Sequence, residues 1–340
     1  MKSIIGSNKS SFLKKVFIKI CRKLGYEIID QNNFKIVTSN KKINDELSAL
    51  GRSSINLPLG EIKITRKVKS LDIIIRTCAS VNMLTQNKKR LFEKEKIEYT
   101  LRTIKSLLIS TSDHQLTNLK INFRVIDHNS TNQNLKEIDN VFKKFSKKYT
   151  LINLDVSKFQ DKIEKVNQKG EKVTSNQISN MANVHQSLLE SKKCEDLIYF
   201  VEDDYIHKLD AIEEMIFAYE RISTQLGKEL IMCPADYPYL YNKLQDSKIL
   251  LGNKYHWRSI DESLCTFLTS KKIIKKHFKK FISACEIEHY PFEKPFHNIY
   301  KKEICISPLP AIAVHYTNIN SIYGLSPLIN YTKLWKTNKL

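Results

Sequence analysis

The chain has 340 residues, 41% of them hydrophobic, which is enough for one large folded domain with additions or for two smaller ones, and disorder is excluded as its default state. A formal charge of +20 would suit nucleic acid, an anionic membrane surface or phosphorylated substrates, but abundant Lys, Ile and Asn beside scarce Gly is also the bias of an A+T-rich genome, so charge alone decides nothing. The 7 cysteines stand singly at 21, 78, 194, 233, 265, 285 and 305, with no CxxC pair, which excludes a Cys/His metal cluster and reads as buried thiols of a reducing compartment.

No run of about twenty apolar residues occurs, and the N-terminus lacks an apolar stretch followed by a small-residue cleavage site, so the expected location is the cytoplasm. Residues 11–24 repeat Phe12, Leu13, Val16, Phe17, Ile20, Cys21 and Leu24 at helical spacing, with Lys14, Lys15, Lys19, Arg22 and Lys23 between them. This predicts a basic amphipathic helix, able either to lie on the inner face of an anionic membrane or to pack on the main domain. From Gly25 to about Lys69 the pattern is mixed and polar, without a usable motif.

At Leu71 the texture changes. LDIIIRT is a short apolar run, as in a strand buried on both faces, and Ile97, Leu101, Ile104 and Leu108 then mark one face of a helix. INFRVID at 121–127 predicts a second strand ending in HNST, YTLINLD at 149–155 a third, and residues 177–192 a helix. DLIYFVE at 196–202 is the strongest strand, and Ile212, Met215, Ile216, Tyr219 and Ile222 mark the helix after it, with Asp210 and Glu213 placed like a capping pair. ELIMCPAD, SLCTFLTS and PAIAVHYT predict further strands. Strand alternating with helix from about 70 to 235 argues for an α/β domain with a mixed, mostly parallel sheet flanked by helices, and ligands then bind at the carboxyl ends of the strands.

Glu202, Asp203 and Asp204 end the most apolar strand. Carboxylates so close together repel, and a hard divalent cation (Mn²⁺ or Mg²⁺) is the usual remedy, unless the triplet only caps a helix start. LIYFVEDDYIHKLDAIEEMI resembles the metal-binding strand and following helix of GT-A fold glycosyltransferases, especially family-2-like and N-acetylglucosaminyltransferase I-like enzymes, whose motif is also Glu-Asp-Asp. LDIIIRTCAS looks like the first strand of that fold, and VIDHNST resembles its second-strand motif, with His128 where a second acid is usual. The resemblance spans about residues 70–320. It implies Asp204 as the metal ligand, Glu202 and Asp203 facing ribose or sugar, and Asp127 as the nucleotide-facing acid beside Arg76 and Thr77. It also implies His315, in AIAVHYTN, as a candidate to complete the metal shell or touch the diphosphate.

Acceptor recognition needs flat apolar faces and polar tips, which Asp236, Tyr237, Tyr239, His256, Trp257 and Arg258 offer unless they are core. HYPFEKPFHNIY at 289–300 reads as a loop over the same face, without a definable role. For a catalytic base beyond the acidic triplet the candidates are Asp236, Asp261 and Glu262, with Asp261 or Glu262 preferred because they precede SLCTFLTS. The expected organisation is a basic N-terminal region over 1–64, a GT-A-like domain over 65–320 and a tail over 321–340. The expected activity is metal-dependent transfer from a nucleotide-sugar donor to a glycan or lipid-linked acceptor in surface polysaccharide synthesis. A metal-dependent nucleotidyltransferase is the enzymatic alternative, although CASVNMLTQNKKR lacks the Gly-rich loop such enzymes carry. A basic nucleic-acid-binding protein is the alternative from another class; no aromatic interleaving among the lysines supports it, and no nucleic acid partner is expected.

Overall fold

The computed structural model describes residues 12–26, 28, 43–44, 54–57, 60–81, 90–242, 246–317 and 321–340. They form two compact units, Met1–Lys67 with Glu220–Lys228, and Val68–Tyr219 with Glu229–Leu340.

The first unit holds helix α1 (Phe12–Lys23) and the strands β1 (Ile43–Asn44), β2 (Ser54–Leu57) and β3 (Gly60–Lys63), paired antiparallel in the order β1-β3-β2. The helix predicted from the spacing of Phe12 to Leu24 is present, and its apolar side chains are exposed: Phe12 at 80%, Leu13 at 77% and Phe17 at 59%. Most of the polar stretch that follows it lies outside the described residues.

The second unit begins at β4 (Ser70–Thr77), buried at every position because a central strand is covered on both faces. After it come α2 (Lys96–Ser110), β5 (Lys120–Asp127), α3 (Asn132–Lys144), β6 (Tyr149–Asn153) and α4 (Ser175–Glu190). Next are β7 (Leu197–Glu202), β8 (Tyr205–His207), α5 (Ala211–Leu226), which runs across the division of the units, β9 (Leu230–Met232), β10 (Ile249–Leu251) and β11 (His256–Ser259). The chain ends with β12 (Phe267–Ser270), α6 (Lys271–Ser283), α7 (Lys294–Tyr300), β13 (Ile304–Leu309), β14 (Ala313–His315) and α8 (Tyr331–Thr337).

The main sheet has the order β10-β11-β13-β9-β12-β7-β4-β5-β6. It is parallel through β7, β4, β5 and β6 and again between β9 and β13, while β12 runs antiparallel between β7 and β9. The architecture is thus the expected mixed α/β sheet flanked by helices. Because β5 and β7 pair with opposite edges of β4, the chain reverses direction across the sheet there, and such a switch point opens a crevice at the carboxyl ends of the strands. The registers Thr77↔Asp127 and Arg76↔Glu202 fix which side chains meet at its rim.

A second, two-stranded ladder pairs β8 with β14, from Ala313↔His207 to His315↔Tyr205. Behind it Tyr99, Ile206, Val314, Tyr316 and Trp335 form one buried cluster, so α8 packs onto the body of this unit.

Candidate functional site

A cavity of about 490 Å³ opens at the carboxyl ends of β4 and β7, walled by α4, by β14 and by the segment 288–293. Its size is that of an ordinary small-ligand site. Arg76, Thr77, Glu202, Asp203, Asp204 and His315, all singled out from the sequence, line it together.

Each acid of the triplet has its own partners. Glu202 meets Arg76 at 2.8 Å and accepts from the Thr266 hydroxyl at 3.2 Å. Asp203 sits 2.6 Å from the Lys96 ammonium through Oδ1, and its Oδ2 accepts from the Cys78 N–H at 3.2 Å and the Thr100 hydroxyl at 3.0 Å. Asp204 meets Arg90 at 2.8 Å and Lys96 at 3.4 Å through Oδ2, and His315 Nε2 at 3.4 Å through Oδ1. Burial works against the charge of Asp204, yet Lys96, His315 and Arg90 hold its carboxyl well below the usual range. Burial likewise disfavours the His315 imidazolium, but Asp204 outweighs it and raises the histidine. The ring is fixed by Tyr323 O at 2.8 Å from Nδ1 and by Tyr205, stacked at 4.6 Å.

Lys96 is the first residue of α2, where the helix dipole disfavours a cation by about 0.3–1 kcal/mol. It is nevertheless only 7% exposed, so the two aspartates, not the helix, account for its place. Arg90 is aimed by local backbone of unusual shape: Phe92 and Glu93 lie in the left-handed region at φ of +73° and +48°, rare for such residues. Phe92 stacks on Trp335 at 4.8 Å, Leu91 N–H bonds Thr317 O at 2.9 Å, and Arg90 Nη1 donates to Tyr316 O at 2.9 Å.

The resemblance implies a divalent cation on Asp204, and the donor set does not fit one. Every carboxylate oxygen of Asp203 and Asp204 already faces a cation or an N–H or O–H donor. A divalent ion coordinated there would lie about 4 Å from an ammonium and be repelled by roughly 8 kcal/mol at an effective dielectric constant of about 20. Among the described residues no group of three His, Cys, Asp or Glu side chains is placed to hold a metal.

Asp127, the other acid implied to face the nucleotide, is 4% exposed and braces the strand ends instead: it accepts from Thr77 at 2.7 Å, from the Ser130 hydroxyl at 2.6 Å and from the Ser130 N–H at 3.1 Å. Thr131 of the same motif caps α3 through Asn134 N–H. Thr77 and His128, its neighbours, do line the cavity. Asp236, Asp261 and Glu262 do not. Asp236 is 1% exposed and paired with Arg258 and Tyr241. Tyr237 and Trp257, offered as acceptor platforms, are fully buried, with Tyr237 bonded to Tyr205 at 2.5 Å and Trp257 to Glu214 at 2.8 Å, so they are core and the acceptor expectation does not hold for them.

Besides Lys96 and Arg90, the cavity contains two further features that sequence reasoning missed. On α4, Gln177 and Asn183 are 4% and 5% exposed and line the cavity, and their side-chain oxygens have no partner among the described residues. Asn183 Nδ2 donates to Ile126 O at 3.2 Å, which turns its oxygen the other way. The second is Glu293, in the segment whose role the sequence left open. Burial, followed by the nearby charge of Glu202, pushes its carboxyl up to about 7 despite Arg76 and His315. That segment is pinned from outside: Asn167 Nδ2 donates to Glu288 at 3.3 Å and to Tyr290 at 3.0 Å, and Phe292 packs on the cluster of Phe159, Ile163, Val173, Met181 and Ala182.

No protein-family model matches the chain, and no curated protein matches it. Among solved structures it is similar to S. aureus TarS (13% identity, TM-score 0.34, 61% of this chain and 29% of that one). It is similar also to the galactosyltransferase LgtC in complex with donor and acceptor sugar analogues (11%, TM-score 0.40, 78% and 95%). A third is the glucosyl-3-phosphoglycerate synthase of M. tuberculosis in complex with Mg²⁺ and UDP (11%, TM-score 0.31, 61% and 58%). The chain thus spans 29% of the length of TarS and 58% of that synthase. Likenesses at this level carry no argument about the chemistry of this chain, which rests on the geometry of the cavity itself.

Proposed function

We propose that the chain is a glycosyltransferase that takes a nucleotide-sugar donor at the carboxyl ends of β4 and β7 and transfers its sugar to a hydroxyl of a glycan or lipid-linked acceptor. The observation that carries this reading is the convergence of Arg76, Glu202, Asp203, Asp204 and Glu293 in one cavity at the switch point of the sheet. The unpartnered oxygens of Gln177 and Asn183 support it, since a ligand rich in hydroxyl and N–H donors would satisfy them.

In this reading Glu202, held by Arg76, accepts from a sugar or ribose hydroxyl, and Thr77 lies on the nucleotide side. Glu293 takes the proton of the acceptor hydroxyl. The acceptor oxygen then bonds to the anomeric carbon, whose bond to the phosphate oxygen breaks, and the electron pair leaves with the nucleoside diphosphate. No step passes through a metal. The exposed apolar face of α1, with Lys19, Arg22 and Lys23 also exposed, supports attachment to an anionic membrane surface, which would bring a lipid-linked acceptor within reach. No helix among the described residues is long and apolar enough to cross a membrane.

A thermal-shift panel of nucleotide-sugars tests the reading. A donor present at a hundredfold excess over its dissociation constant stabilises the native state by about 2.7 kcal/mol. One donor class should shift the unfolding temperature and its sugar should then be released or transferred; a panel with no shift from any nucleotide-sugar removes the proposal.

A further inference from the structure

We propose that Lys96 and Arg90 stand in the place of a divalent cation, so that the site binds the diphosphate of its donor without metal. The inference rests on the glycosyltransferase reading and deepens it.

Charge is the first ground. At the strand end Glu202 is matched by Arg76, and Asp203 and Asp204 by Lys96 and Arg90. The repulsion that makes a carboxylate triplet need a cation is therefore already relieved by groups the chain itself supplies. The second ground is placement. Lys96 and Arg90 are 7% and 6% exposed, yet both line the cavity. An ammonium carries three donors, more than the two aspartate contacts of Lys96 use, so Lys96 can donate further into the cavity. Phosphate oxygens are the acceptors that such charge-assisted donors bind most strongly. The third ground is local cost: a lysine at the first position of a helix and left-handed backbone at Phe92 and Glu93 are both unfavourable, and both serve to bring a cation to Asp203 and Asp204.

Three measurements test this. The metal-stripped protein is titrated calorimetrically with Mn²⁺ alone. The nucleoside diphosphate from a panel of UDP, GDP, ADP and CDP that raises the unfolding temperature is then titrated in excess EDTA and in excess Mn²⁺. Lys96→Met and Lys96→Arg are compared with wild type, their fold checked by circular dichroism. The expected results are no Mn²⁺ binding to the wild type and equal diphosphate affinity with and without EDTA. Lys96→Met should lose at least about tenfold in that affinity, as expected for removing a charge-assisted bond, while Lys96→Arg retains most of it. If Lys96→Met fails to fold, the charge-conserving Lys96→Arg and the wild-type titrations decide alone. Mn²⁺ binding that disappears in Asp204→Asn, or diphosphate binding that requires Mn²⁺, overturns the assignment. If no nucleoside diphosphate binds under either condition, the donor reading itself falls, and the role given to the pair falls with it.

Discussion

The carboxyl of Glu293 is neutral far above the usual range of a glutamate, because burial and the charge of Glu202 both oppose its ionisation, with Arg76 and His315 pulling the other way. A general base works best when its pKa lies near the operating pH, and about 7 is such a value. The sign of the stability effect follows. The folded-state value is above the unfolded one, near 4.3, so the neutral form contributes stability that is fully present below about pH 4 and is lost as pH rises through about 7. Transfer needs the carboxylate and should rise over the same window. Glu293→Gln is therefore expected to lose roughly a hundredfold or more in transfer and to flatten the pH dependence of unfolding, while donor binding persists. Normal transfer by this variant with an unchanged pH profile would remove Glu293 from the role of base. At this scale the apolar run of β7 placed the triplet at a strand end, while Arg76 and Thr77 came from the resemblance, and the cavity brings all five together. The sequence could not show Lys96, whose pairing with Asp204 spans 108 positions and which reads locally as one more surface lysine.

Among the elements, those legible in the sequence were the ones whose own pattern is sufficient. The apolar runs at β4, β5 and β7 appear where predicted, as do α2, α4 and α5. The β14 strand appears within the predicted PAIAVHYT run, but its partner β8 and α8 carry no such pattern, since their apolar residues are few and find their neighbours only in the folded chain. Yet α8 bears on the site. Trp335 is 7% exposed, packs on Tyr99 at 4.9 Å, carries the Arg102 guanidinium at 4.0 Å over its ring and takes Phe92 at 4.8 Å. Phe92 in turn shapes the backbone that aims Arg90 at Asp204. Trp335→Ala should cost about 3–5 kcal/mol of stability, and Trp335→Phe less, because the ring contacts are partly kept. Diphosphate affinity at a temperature where both variants are folded should fall in the order wild type, Phe, Ala. Equal affinity in all three would mean that Arg90 is held without help from α8.

For the whole molecule, the large positive charge regains meaning where it meets an apolar surface. On α1 the exposed Phe12, Leu13, Phe17, Ile20 and Leu24 lie with exposed Lys19, Arg22 and Lys23, and a soluble helix seldom leaves so many large apolar side chains in water. An anionic bilayer surface satisfies both faces, the apolar one by burial at the acyl boundary and the basic one by about 1 kcal/mol for each Lys or Arg near the surface. A fully buried phenylalanine ring contributes about 1.5–3 kcal/mol, so even half of that from each ring makes Phe12→Ser with Phe17→Ser weaken partitioning by more than tenfold. The measurement is co-sedimentation with vesicles of anionic phosphatidylglycerol against vesicles of neutral phosphatidylcholine. Wild type should sediment with the anionic vesicles and be released as salt rises, because screening removes the basic contribution. The double variant, and the chain lacking residues 1–24, should stay in the supernatant and still bind donor, since the cavity is built wholly within the second unit. Wild type remaining in the supernatant with anionic vesicles would assign the apolar face of α1 to a protein contact instead.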